Sequence, residues 1–89
     1  MAHQVEFSPA AARDVRGLSQ QMQKRVLDSI ANLADTPRPR GCVKLKDEKG
    51  VYRIRTGDYR ILYMVKDAVV TVLVLRVRHR REVYRSPAA

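Results

Sequence analysis

Arg53, Arg55 and Arg60 stand in the stretch VYRIRTGDYRILY, and Arg76, Arg78, Arg80, Arg81 and Arg85 crowd RVRHRREVYR, with His79 and Tyr84 among them. Guanidinium forks match phosphate oxygens two at a time and stay charged at any ordinary pH. One reaction class suits this set: metal-free cleavage of RNA, in which a 2′-hydroxyl attacks its own adjacent phosphate. Fixed arginines can stabilise the dianionic phosphorane that forms. They move protons poorly, because their pKa lies far above neutrality. Histidine titrates near neutral pH, so His79 is a candidate acid or base. Tyr84 could stack on a base or orient a phosphate. The plainer alternative is a solvated basic face with a strand-end histidine and a tyrosine packed on the sheet edge.

Other chemistries are poorly provided for. No carboxylates pair at a useful spacing, and Asp58 and Glu82 are the acidic residues near the arginines. No His/Cys/Asp cluster has metal-ligand spacing, so neither a metal nor a cofactor is expected. No glycine-rich phosphate loop is present. Ser29 and Ser86 assemble no nucleophilic triad with His3 or His79. The single cysteine, Cys42, excludes an internal disulfide and fits a reducing compartment.

The charge balance agrees with an anionic partner. Among 89 residues, 18 Lys+Arg oppose 9 Asp+Glu, a net charge of +9. Thirteen of the basic residues are arginine, which leans toward phosphate recognition. Fourteen of the 18 fall within 38–85, so the charge follows the second half of the chain. The start MAHQVEFSPAA lacks a signal peptide's basic start and apolar run, and no apolar run approaches the ~20 residues that span a bilayer. A cytoplasmic protein with no membrane role is expected.

These residues need a scaffold. HQVEF (3–7) alternates as a short strand. Ser8-Pro9 starts a helix, with a capping hydroxyl and then proline at the first helical position. Ala11, Val15 and Leu18 form its apolar stripe, and Gly17 stops it. Ser19 caps a second helix to about Ala34, with Met22, Val26, Ile30 and Leu33 on one face. DTPRPRG (35–41) is a connector, its Arg38 and Arg40 expected in solvent. Residues 49–77 then hold three strands, with turns at Gly57-Asp58 and Asp67-Ala68. The expected fold is a single α+β domain over 1–89, in the order β-α-α-β-β-β. A helical hairpin packs on one face of an antiparallel sheet.

A two-residue turn at Gly57-Asp58 sets Arg55 opposite Arg60, with Arg53 on the same face. Tyr52, Ile54, Tyr59, Ile61 and Tyr63 then point toward the helices. Like charges directly opposed are destabilising unless an anion bridges them. In the last strand a two-residue turn at Asp67-Ala68 would send Arg76 and Arg78 toward the helices. A bulge or a longer turn would exchange the faces, so spacing leaves open whether Arg78 or His79 joins the other arginines.

The start VEFSPAAARDVRGL, the segment GDYRILY and the ending RVRHRREVYR together resemble the RelE/ParE toxin superfamily, its RelE branch in particular. The likeness covers nearly the whole chain, and the element order matches that fold. The resemblance implies a toxin of a type II toxin–antitoxin system that enters the ribosomal A site, cuts mRNA there without a metal and so inhibits translation. It places Arg53 and Arg55 where two functional lysines of the family often stand. Arg60 matches the arginine of the YR pair, and Arg78 and Tyr84 match the C-terminal arginine and tyrosine. Arginine at 53 and 55 keeps charge but weakens proton transfer there, which turns attention to His79 or Tyr84. Arg76, Arg80, Arg81, Arg85, Lys44 and Lys46 would supply general attraction for RNA. The implied partners are the ribosome with its mRNA, and a small acidic RelB-like antitoxin forming a hetero-oligomer with the toxin. A ParE-like gyrase inhibitor without catalysis, or a weakly active basic RNA-binding homologue, is the alternative.

Overall fold

In the computed structural model the described residues are 2–81. Arg85, Tyr84 and Glu82 therefore lie outside the described residues. Strand β1 (Gln4–Phe7) leads into helices α1 (Pro9–Arg16) and α2 (Gln20–Asp35). Strands β2 (Val43–Lys44), β3 (Val51–Thr56), β4 (Tyr59–Lys66) and β5 (Thr71–His79) follow. Both helices begin as their sequences direct. The Ser8 hydroxyl accepts from the Ala11 amide with Pro9 at the first helical position, and the Ser19 hydroxyl accepts from the Met22 amide. Satisfying one otherwise orphaned helix-start amide stabilises by about 1 kcal/mol.

The five strands form one sheet in the order β1-β5-β4-β3-β2. β2 through β5 are antiparallel, whereas β1 runs parallel to β5 at the edge. The α+β class and the helical hairpin are as expected, and the parallel edge strand and the two-residue β2 are additions. The parallel pairing follows from the chain's path. α1 and α2 carry it back across one face before the meander of β3, β4 and β5 begins.

The core lies between the helices and that face. Ala11, Val26, Ile30 and Leu33 from the helices meet Ile61, Tyr63, Val72, Val74 and Val77 from the sheet. Met22, Tyr52, Ile54 and Tyr59 pack against its rim. The apolar spacing of α2 explains its burial, since positions 22, 26, 30 and 33 share one side of a helix. Truncating Ile30, which is 2% exposed, would cost about 2–5 kcal/mol.

Two features depart from the expected hairpins. The β4–β5 connection is four residues long: a 3₁₀ turn at Asp67–Val69, then Val70 at φ 50°. Changing a turn from two residues to four leaves strand parity unaltered. Parity changes further on, where β5 bulges. Tyr63 pairs with Val74 and Leu62 pairs with Arg76, so Leu75 has no opposite residue on β4. Val72 and Val74 face the helices before the bulge, and Val77 and His79 face them after it.

The far end of the sheet is pinned by a separate cluster. Arg38 donates to Asp67 at 2.8 Å and to the Tyr52 hydroxyl at 2.9 Å, with its guanidinium 5.2 Å from the Tyr52 ring centre. Arg38 is thus engaged, not a freely solvated connector charge. The hydrogen bond from Arg38 holds the Asp67 carboxyl below the usual carboxylate range. Tyr52 stacks on Tyr63, whose hydroxyl donates to the Pro37 carbonyl at 2.7 Å.

Candidate active site

The β3–β4 turn is the two-residue loop that its sequence directs. Thr56 pairs with Tyr59 around it, and Gly57 takes φ 60°, a conformation that disfavours any side chain. Arg55 therefore stands opposite Arg60. The β5 bulge brings Arg78 opposite Arg60 on the other side. Three arginines on neighbouring strands form one row across the sheet, on the face away from the helices. Strands lie about 4.8 Å apart, so the backbone positions of the three fall within about 10 Å. Arg53 pairs with Leu62, which pairs with Arg76, so a second row runs parallel to the first.

Arg60, in the centre, is only 6% exposed, while Arg55 is open to solvent and Arg78 lies between these extremes. A cation so enclosed is costly unless anionic or hydrogen-bonding groups surround it. Beside the row, Arg55, Arg60 and Arg80 line a hollow of about 190 Å³ with Gly57, Asp58 and Tyr59. On the other side of Arg55, a larger cleft of about 710 Å³ runs along Arg53, Ile54 and Val43 to Asn32 and Arg40. Arginines lining hollows of this kind can hold phosphates by fixed charge, and the apolar part of the cleft has room for a base.

α2 steadies the turn end of the rows. The Thr56 hydroxyl donates to the Ser29 hydroxyl at 2.8 Å, and the Arg25 guanidinium lies over Gly57. The Arg80 amide donates to the Asp58 carbonyl at 2.8 Å, so the chain leaving β5 is tied to the same turn. The Arg80 side chain reaches Asp58 only at 4.0 Å, a weak contact between two exposed groups.

His79 is not brought to the rows. It pairs with Tyr59 on the helix-facing side, where their rings meet edge-on with centres 5.2 Å apart. Its Nδ1 accepts from the Arg81 amide at 3.2 Å. The parity left open by the sequence therefore falls to Arg78, and His79 stands across the sheet from the arginines. Of the residues expected to attract RNA generally, Arg80, Arg81, Lys44 and Lys46 are exposed. Lys44 pairs with Tyr52 and so sits on the helix side of the edge strand.

Arg76 has a partner that its sequence position does not suggest. Its Nε donates to Asp14 of α1 at 2.9 Å and its Nη2 donates to the same carboxylate at 3.2 Å. That carboxylate also accepts from the Val77 amide at 3.0 Å. Asp14 and Ser8 were legible only as a helix residue and a helix cap. Nothing local marks their contacts with β5, which lie 62 and 67 residues away.

Residues 5–84 match the family model described as the ParE toxin of the type II toxin–antitoxin system parDE. The toxin RelG of Mycobacterium tuberculosis is 33% identical over 86 residues, covering 96% of this chain and 99% of that one. The mRNA interferase toxin RelE of Escherichia coli K12 is 31% identical over 88 residues, covering 94% and 92%. The toxin–antitoxin complex RelBE2 of Mycobacterium tuberculosis superposes with a TM-score of 0.79 at 33% identity, covering 90% of this chain and 100% of that one. The isolated RelE toxin of Escherichia coli superposes with a TM-score of 0.79 at 27% identity, covering 97% and 95%.

Proposed function

The chain belongs to the RelE/ParE family of type II toxin–antitoxin toxins, and on that premise we propose that it is a ribosome-dependent endoribonuclease that cuts mRNA in the A site. The observation that carries this reading is the row Arg55, Arg60 and Arg78 across three adjacent strands. The name mRNA interferase, borne by a relative 31% identical, supports it.

The row binds the scissile phosphate and stabilises the charge that accumulates as the 2′-oxygen attacks. Removing one such preorganised donor commonly costs about 10²–10³ in rate. Arg53, on the neighbouring row, orients the strand through the next phosphate. Lysines at 53 and 55 could have exchanged protons, but arginines keep theirs. Tyr84, the residue that matches the family's C-terminal tyrosine, takes the proton-transfer role that arginines at 53 and 55 cannot. His79 serves the far face of β5. No metal takes part. The ribosome completes the site by holding the message in place, which concentrates attack on one bond.

Before that encounter, a small acidic antitoxin of the RelB type covers the arginine face and neutralises its charge. The solved complexes of similar toxins support such a partner. The family model's own description, ParE, favours one second reading, in which the protein inhibits gyrase without cutting RNA.

Mapping RNA 5′ ends after induced expression decides between them. New ends inside codons of translated messages, with untranslated RNA intact, are the expected result. Intact messages together with an SOS response would overturn the nuclease reading in favour of gyrase inhibition.

A further inference from the structure

We propose that α1 acts as a register gauge for β5, with Asp14 as the positioning residue that keeps Arg78 in the arginine row. The proposal rests on the reading of that row as the reactive site, but its geometric part stands independently.

The bulge is where the register is decided. Extending the pairs Val72–Val65, Leu73–Met64 and Val74–Tyr63 without interruption would set Arg76 opposite Ile61 and Arg78 opposite Tyr59. Both arginines would then face the helices and His79 would take the open face. One extra residue, Leu75, reverses this. Nothing within VTVLVLRV demands a bulge there, since the run holds no glycine, proline or asparagine.

The bulge is gripped on both sides by one helix. Ser8, at the start of α1, donates its hydroxyl to the Leu75 carbonyl at 2.8 Å, and its amide donates to the Val74 carbonyl at 2.9 Å. Asp14, near the end of α1, accepts from the Val77 amide at 3.0 Å. Here β1 no longer runs alongside, because its last pair is Phe7 with Val74. The Asp14 carboxylate therefore replaces the missing strand at the Val77 amide, while Arg76 balances its charge at 2.9 Å. A slip by one residue would replace the Val77 amide with its neighbour and break the Ser8 contact as well. The span of α1 from Ser8 to Asp14 separates the two grips, so the helix measures out where the extra residue must lie.

The test uses the full chain carrying Asp14→Ala, alongside Asp14→Asn, whose amide oxygen can still accept from Val77. Three quantities are measured: the thermal melt, the nuclear Overhauser contact between the Tyr59 ring and the His79 imidazole, and kcat with KM for ribosome-dependent cleavage. Asp14→Ala is expected to melt cooperatively, to lose the Tyr59–His79 contact, and to lower kcat about 10- to 100-fold with KM little changed, as misplacement of a reacting group does. Asp14→Asn is expected to keep the contact and most of kcat. Persistence of the contact in Asp14→Ala overturns the proposal whatever the activity. Should Asp14→Ala not melt cooperatively, Ser8→Gly decides in its place. It keeps most of the helix cap but removes the Leu75 bond, and an undisturbed Tyr59–His79 contact there is equally fatal. A wild-type chain that cuts no translated message refutes the nuclease reading, while the ring contact still decides whether α1 sets the register of β5.

Discussion

Arg60 and Arg78 are direct partners across β4 and β5, yet Arg60 is almost wholly enclosed and Arg78 only half so. The two should therefore fail in different ways. Arg78→Ala is expected to lower ribosome-dependent cleavage by about 10²–10³, with a smaller loss of stability than Arg60→Ala. Arg60→Ala is expected to lose both, because its aliphatic stem is packed. Arg60→Met restores much of the stability and none of the cleavage. Cleavage rates and thermal melts on the three variants check this, and wild-type cleavage by Arg78→Ala would remove the row from the chemistry.

Binding to ribosomes or to single-stranded RNA should weaken steeply with salt. Each phosphate contact contributes a slope of about −0.7 in log affinity against log salt. Arg55→Ala and Arg78→Ala should each flatten the slope by about one contact's share. Titrations at several salt concentrations measure it, and identical slopes for all three proteins would contradict a phosphate-centred face.

Tyr63 ties stability to alkaline pH. Burial pushes its phenol pKa up, with the neighbouring Cys42 as the second cause. The folded pKa is thus above the unfolded value of about 10. The resulting stability is complete below about pH 10 and is lost as pH rises toward the folded value. Tyr63→Phe should cost about 0.5–1.5 kcal/mol at neutral pH, for the hydrogen bond to Pro37. It should also flatten the decline above about pH 10, which denaturant melts from neutral to strongly alkaline pH would reveal.

Val70 holds a left-handed backbone, φ 50°, while carrying a β-branched side chain that is 40% exposed. That conformation costs an ordinary residue roughly 1–2 kcal/mol. Val70→Asn is therefore expected to raise stability by about 1 kcal/mol, read as a higher denaturant midpoint at unchanged slope. An unchanged midpoint would mean that the Val70 side chain stabilises through contacts that offset its strain.

Much of the scaffold was legible in the sequence for local reasons. Ser8-Pro9 and Ser19 mark helix starts by their own chemistry, and Gly57-Asp58 fixes the hairpin that opposes Arg55 to Arg60. The rest depended on distant contacts. Whether Arg78 or His79 meets the arginines turns on a bulge held by Ser8 and Asp14, and a strand of unbroken Val, Leu and Thr carries no trace of it. Arg38 read as a solvated connector charge because its partner Asp67 is 29 residues away. The parallel seating of β1 likewise depends on how the helices return the chain, which periodicity does not encode. Tyr84 was legible from its place among the arginines and as a motif residue.

The first of the described strands, β1, finds its partner in the last, β5. Such a pairing waits for the whole intervening chain, and long-range closures of this kind come late in folding. Arg55 and Arg60 meet across a local hairpin, whereas Arg78 joins their row only through the long-range seating of β5 against β4 and β1. The cationic face is thus complete only when the first and last of the described strands have met.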